Sequence, residues 1–169
     1  MGAEVTDYAD FNSHHIEGYA IAAQDKGEDG WFKVPLISHI KDNLWMGGCS
    51  NMKELPPDFA HVVSLYPWER YRVGPKTELH EFEMYDSAKM ANDDWLHWLA
   101  DQIQGWLKDG KVLVHCQAGL NRSGLMSALT LIHGGMKPTD AIALLREKRC
   151  DMVLCNQKFE EWLWKQVPK

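Results

Sequence analysis

Hydrophobic and polar positions divide the chain into a front portion without a period and a back portion with two. In residues 1–35, Gly27, Gly30 and Pro35 interrupt any repeat, and only residues 18–23 suit one short strand. This portion reads as an N-terminal arm, residues 1–35, ahead of one domain spanning residues 36–169. Asn43-Leu44-Trp45-Met46 and His61-Val62-Val63-Ser64-Leu65 are apolar or β-branched runs bounded by Gly47-Gly48 and Pro67, which predicts two strands. Phe82 and Met84, two apart, give a fainter strand signal over residues 79–85. Between these, Gly74-Pro75 makes residues 66–78 a loop. Its Trp68, Arg70, Tyr71, Arg72 and Lys76 form either a wall of a substrate cleft or a solvated surface.

From Asp93 the period lengthens. Trp95, Leu96, Leu99, Ile103, Trp106 and Leu107 recur at three- and four-residue steps, predicting an amphipathic helix capped near Asn92 and closed at Gly110. A buried strand, Lys111-Val112-Leu113-Val114-His115, follows, then a small-residue loop over residues 116–121. The apolar stretch at residues 125–132 stops at Gly134-Gly135 as a buried helix does. Pro138 opens another helix with Ala141, Ile142, Leu144 and Leu145, and Asn156 caps the last, carrying Phe159, Trp162, Leu163 and Val167. Strands alternating with helices predict an α/β sheet covered by helices.

Composition agrees with one domain: 169 residues, 45% hydrophobic and 25% charged, exclude intrinsic disorder, collagen and a disulfide-rich miniprotein. A chain of this size buries roughly 70% of its unfolded surface and needs no disulfide or structural metal to hold a core. The formal net charge of −6 speaks against broad capture of nucleic acid or anionic membrane, so an anionic substrate has to be held locally. No apolar window is long enough to span a membrane, and acidic residues stand where a signal peptide would be basic and then apolar, so the cytoplasm is the expected compartment. Met1-Gly2-Ala3-Glu4-Val5-Thr6 fits the loose myristoylation pattern, but Glu4, Asp7 and Asp10 would repel an anionic surface. Cys49, Cys116, Cys150 and Cys155 are too few and too unevenly spaced for a secreted disulfide framework.

The chemistry concentrates in His115-Cys116-Gln117-Ala118-Gly119-Leu120-Asn121-Arg122-Ser123, a cysteine at a strand end followed six residues later by an arginine at a helix start. Loop amides and the free N–H groups of a helix N-terminus make an anion site, and Gly119 allows the tight backbone this requires. The same field favours a thiolate, which makes Cys116 the candidate nucleophile. Arg122 can fork two hydrogen bonds to phosphoryl oxygens, and Ser123 can ease departure of the sulfur in a second step. A bare cysteine and arginine at this spacing arise by chance in about one such chain in five; the added His, Gly and Ser lower that to the order of one in thirty thousand.

These residues resemble the phosphate loop of the cysteine-based protein tyrosine phosphatases, in particular the small dual-specificity group. Ile40-Lys41-Asp42-Asn43-Leu44-Trp45-Met46-Gly47 is similar to that group's opening strand, Val62-Val63-Ser64-Leu65 to its next, and residues 141–149 with Asn156 and Phe159 to its closing helices. The resemblance covers about residues 36–167. It implies a central, mostly parallel sheet flanked by helices. It also implies hydrolysis of phosphotyrosine, phosphoserine and phosphothreonine in proteins through a phosphocysteine, with no cofactor and no metal. The family takes its general acid from an aspartate upstream of the cysteine; Asp86, thirty residues before Cys116 and just after a predicted strand, fits that role. Asp93 and Asp94 suit a helix start instead. Asn156 is expected to support the site, while His115, Gln117, Ala118, Gly119, Leu120 and Asn121 form the loop. The stretch between Arg149 and Asn156 looks longer than the family pattern, in which an arginine like Arg149 braces the phosphate loop.

Other readings are a rhodanese-like sulfurtransferase, whose loop is typically shorter, and a phosphate-binding module without catalysis. Asn121 before Arg122 echoes phosphatases of this superfamily that act on RNA 5′ ends, although the acidic chain opposes RNA. A zinc site from His115, Cys116, Cys150 and Cys155 lacks ligand spacing. Cys49, Cys150 and Cys155 read as core thiols, and one close to Cys116 would trap the oxidised nucleophile as a disulfide.

Overall fold

The computed structural model describes residues 15–23, 31–50 and 52–169; the myristoylation pattern lies outside them. Six strands, β1 (His15–Ala23), β2 (Trp31–Lys41), β3 (Leu44–Gly47), β4 (Phe59–Ser64), β5 (Glu78–Glu81) and β6 (Lys111–His115), form one sheet in the order β1-β2-β3-β6-β4-β5. The pairings β3-β6, β6-β4 and β4-β5 are parallel, and β1-β2-β3 is an antiparallel ribbon along one side. This is the mostly parallel sheet expected. The unbroken apolar run of β6 has its reason here: Val112, Leu113 and Val114 are fully buried in the middle of a sheet covered on both faces.

Four helices, α1 (Asp93–Trp106), α2 (Arg122–His133), α3 (Pro138–Lys148) and α4 (Gln157–Trp164), cover the sheet. Asn92 caps α1 by accepting from the Trp95 N–H at 3.0 Å, and Leu96, Leu99, Ala100 and Ile103 form the buried stripe beneath it. In α2 residues 123–133 are all buried, so this helix is a core element whose start is held rigid.

The structure departs from the sequence pattern at two places. The division expected at residue 35 falls inside β2, whose Val34, Leu36, Ile37 and Ile40 are buried in the core. Pro35, which breaks the pattern, sits opposite Tyr19 near the register irregularity of β1, where a missing N–H is tolerated. The strand signal at residues 79–85 shrinks to Glu78–Glu81: the Phe82 N–H still donates to the Ser64 carbonyl at 2.9 Å, after which the chain leaves the sheet. β4 and β6 run parallel and end at the same edge, where Ser64 stands beside His115, and the loop that follows β6 opens there.

Candidate active site

The backbone around Cys116 is organised by where its carbonyls go. The Cys116 N–H donates to the Gly47 carbonyl at 3.2 Å, fastening the loop to the end of β3. The Gln117 carbonyl accepts from the Cys49 N–H at 2.9 Å, and those of Ala118 and Gly119 accept from the Arg149 guanidinium at 3.1 and 2.6 Å. The Leu120 and Asn121 carbonyls accept from the Leu154 and Leu125 N–H groups at 3.1 and 2.8 Å. Each loop carbonyl is thus turned outward onto a partner. Among the described residues, no amide from Gln117 to Ser123 donates to a backbone carbonyl, which leaves a row of N–H groups for an anion. Gly119 has φ +76°, and a Cβ there would run into the Gly47 carbonyl.

Cys116 lies at the base of this row, 2% exposed, with its sulfur 3.3 Å from the Ser123 hydroxyl. Asn121 makes no side-chain cap on α2, and the first turn of α2 holds no acid, so the helix start faces the loop uncompensated. Arg122 donates through Nη1 to the Met84 carbonyl at 3.1 Å, and its guanidinium lies 5.0 Å from the Tyr66 ring centre. Its Nε is buried without a hydrogen-bond partner, a donor built to meet something other than protein.

Arg149 proves to be a brace. Beyond its two bonds to the loop, it donates to the Ser38 hydroxyl of β2 at 3.1 Å. Burial lowers its pKa to about 10, so it still carries its charge at neutral pH. The longer stretch after it folds into a turn of its own. Arg146 donates to the Val153 carbonyl at 3.0 Å, and Leu154, at φ +62°, packs against Gly124 at the start of α2. A leucine in the left-handed region costs roughly 1–2 kcal/mol, held here by its N–H bond to Leu120 and full burial of its side chain.

His115 is fully buried, and burial lowers its pKa to about 4. The neutral ring donates from Nδ1 to the Cys116 carbonyl at 3.0 Å, which leaves Nε2 to accept from the Tyr71 hydroxyl. Burial pushes the Tyr71 phenol up, keeping that hydroxyl a donor. Asp86 is reached from two sides: Asn121 Nδ2 donates to one carboxylate oxygen and Asn156 Nδ2 to the other, both at 2.8 Å. The Asn156 N–H in turn donates to Asn121 Oδ1 at 2.9 Å, closing a small ring of amides around the acid. Ser38, which accepts from Arg149, and Tyr71, which donates to His115, escape a sequence reading because each contact is made by tertiary folding alone; Arg149 is suggested by the family resemblance.

Of the loop at residues 66–78, Arg70 and Arg72 pair with Glu81 and Glu54 and take no part in the site. Its aromatic side does: Trp68 lies 5.0 Å from Tyr66, beside Arg122, and 5.6 Å from Tyr85, next to Asp86. None of the four cysteines is in a disulfide. Cys49 is packed under the loop, its thiol pushed up by burial and by the nearby charges of Glu69 and Cys116, whereas Cys155 is exposed beside Asn121.

Residues 50–167 match the family described as dual specificity phosphatase, catalytic domain. The chain is 36% identical over 117 residues to a probable protein tyrosine phosphatase type IVA B of Dictyostelium discoideum, covering 67% of this chain and 66% of that protein. It is 47% identical over 78 residues to a protein tyrosine phosphatase type IVA 3 of Bos taurus, covering 46% of this chain and 43% of that protein. It therefore spans less than two thirds of the length of these curated relatives. Among solved structures, a mouse putative dual specificity phosphatase complexed with zinc tungstate superposes with a TM-score of 0.67 at 16% identity, over 76% of this chain and 84% of that one. Human DUSP28 gives 0.67 at 15% identity over 77% and 94%; at such identities the likeness is one of fold.

Proposed function

The chain belongs to the dual-specificity phosphatase catalytic-domain family, and from that premise we propose that it hydrolyses phosphate monoesters on proteins, phosphotyrosine together with phosphoserine and phosphothreonine, through a phosphocysteine. The observation that carries this reading is the loop whose carbonyls all turn outward around Cys116 while Arg122 Nε has no protein partner. A phosphoryl group in the loop meets the amide row and the Arg122 fork, which stabilise the charge on its equatorial oxygens in the transition state. The Cys116 sulfur attacks phosphorus, the S–P bond forms, the ester P–O bond breaks, and Asp86 gives its proton to the leaving oxygen. In the second step the Asp86 carboxylate takes a proton from water, which attacks phosphorus. The S–P bond breaks, the Ser123 hydroxyl donates to the departing thiolate, and inorganic phosphate leaves.

The flanking Tyr66, Trp68 and Tyr85 suit the aromatic ring of phosphotyrosine, and the free thiols suit a reducing compartment such as the cytoplasm. No described helix is long and apolar enough to cross a membrane. An RNA 5′-phosphatase is not favoured: Asn121, the residue that suggests it, is engaged with Asp86 and Asn156. Nor is a non-catalytic module, since Asp86 and the loop are joined through Asn121.

The test is hydrolysis of para-nitrophenyl phosphate in EDTA. Wild type turns over, Cys116→Ser abolishes turnover, and Asp86→Asn lowers kcat by about 100-fold or more. A folded wild type without turnover would overturn the reading.

A further inference from the structure

At the far end of the parallel strands from Cys116, the sheet gathers three side chains that the phosphatase site does not use. Parallel register places His61 of β4 beside Glu78 of β5, and the two-residue repeat of a strand puts His80 on the same face as Glu78. The nitrogen Nδ1 of His61 lies 3.1 Å from Nε2 of His80 and 3.6 Å from Oε2 of Glu78, and the last two atoms are 3.9 Å apart. We propose that His61, Glu78 and His80 form a zinc site, with water completing the coordination. The inference stands independently of the phosphatase reading.

Three observations support it. First, the point equidistant from the three atoms lies about 2.1 Å from each, the bond length zinc takes to imidazole nitrogen and carboxylate oxygen. Second, the remaining nitrogen of His61, Nε2, is 2.9 Å from the Asp109 carboxylate. That contact holds the proton on Nε2 and leaves the Nδ1 lone pair aimed at the site, the carboxylate-histidine arrangement that orients zinc ligands. Third, Trp106 at the end of α1 stacks on His80 at 3.9 Å and 12° and on His61 at 5.4 Å and 21°, fixing both ring planes. Two imidazoles and one carboxylate, with no thiolate, form a donor set that suits zinc and leaves a position for water. The His61 side chain is 7% exposed and that of Glu78 70%, so the site has a rigid floor and a side open to solvent.

Without metal, the His80 Nε2–H can donate to His61 Nδ1. Binding moves that proton to Nδ1 of His80, so that both facing nitrogens offer lone pairs; nothing is oxidised or reduced. The ion would tie β5, which among the described residues pairs in the sheet with β4 alone, to β4 and, through Asp109, to the turn before β6. Its role is therefore to hold an edge strand.

Calorimetric titration of zinc chloride into the full chain bearing Cys116→Ser, which removes the reactive thiolate as a competing ligand, tests this. One equivalent is expected to bind and raise the unfolding temperature. In the same background, His80→Asn and Glu78→Gln each weaken binding tenfold or more, and the metal-free unfolding temperature of the Glu78→Gln chain stays where it was. Both changes are at partly or well exposed side chains, so neither variant depends on refilling the core. Absence of binding to the parent chain, or binding undiminished in both variants, would overturn the site.

Discussion

His115 shows how far one side chain can bind function to stability. Its imidazole is neutral in the folded protein because burial strips it of water, and that neutrality fixes the tautomer that accepts from Tyr71 and donates to the Cys116 carbonyl. With the folded value depressed from 6.5 to about 4, the unfolded chain binds more protons between those two pH values. The group's contribution, about 3 kcal/mol, is complete above pH 6.5 and is lost progressively as the pH falls toward 4. Urea unfolding at pH 7.5 and pH 5 should show this loss, and His115→Gln should flatten the difference. Asp86 offers the complementary case at an exposed position, where geometry has to be imposed by partners. Asn156→Ala removes the amide on one carboxylate oxygen and also the N-cap of α4. It should lower kcat for para-nitrophenyl phosphate roughly tenfold while leaving KM unchanged, because in the proposed mechanism Asp86 acts on the leaving group and not on phosphate binding.

Among the elements, those whose stability is local were legible in the pattern and those assembled from distant pieces were not. The helix at Asp93–Trp106 was readable because its cap, its stripe and its stop all lie within one stretch. Asn92→Ala should therefore cost about 1 kcal/mol in urea unfolding without altering turnover. β6 and the Cys116 loop were readable for the same reason: strand, loop and helix start are consecutive, and the cysteine and arginine carry His115, Gly119 and Ser123 around them. β2 was hidden, because Gly30 and Pro35 suggest a break, and only pairing with β1 and β3 makes one strand across the proline. The site divides along the same line. Cys116, Arg122 and Ser123 follow from the motif and Asp86 from the family resemblance, whereas the bonds of Arg149 to Ser38 and the loop, and of Tyr71 to His115, exist only once segments far apart in sequence lie side by side. The longer stretch after Arg149 argued against the brace, yet it loops out as a turn and leaves the guanidinium in place.

For the whole molecule, the consequence is that β2, which begins before the expected boundary, packs into the same core as the rest of the sheet. β2 buries Val34, Leu36, Ile37 and Ile40, each 3% exposed or less, and Ser38 joins it to the loop through Arg149. At roughly 1.5–3 kcal/mol for each buried aliphatic side chain, these four contribute about 6–12 kcal/mol. That is as large as the net stability of a typical domain, about 5–15 kcal/mol. A chain beginning at residue 42 would lose this burial, expose the edge of β3 and leave Arg149 without its hydroxyl partner. It should show no cooperative unfolding transition and no hydrolysis of para-nitrophenyl phosphate. Of the described residues, a chain beginning at residue 31 loses the edge strand β1, and it keeps every one of these contacts. It should melt cooperatively and retain turnover within a few-fold of the full chain. Equal behaviour of the two truncated chains, both folded and active, would make β2 an accessory and place the start of the domain beyond residue 41.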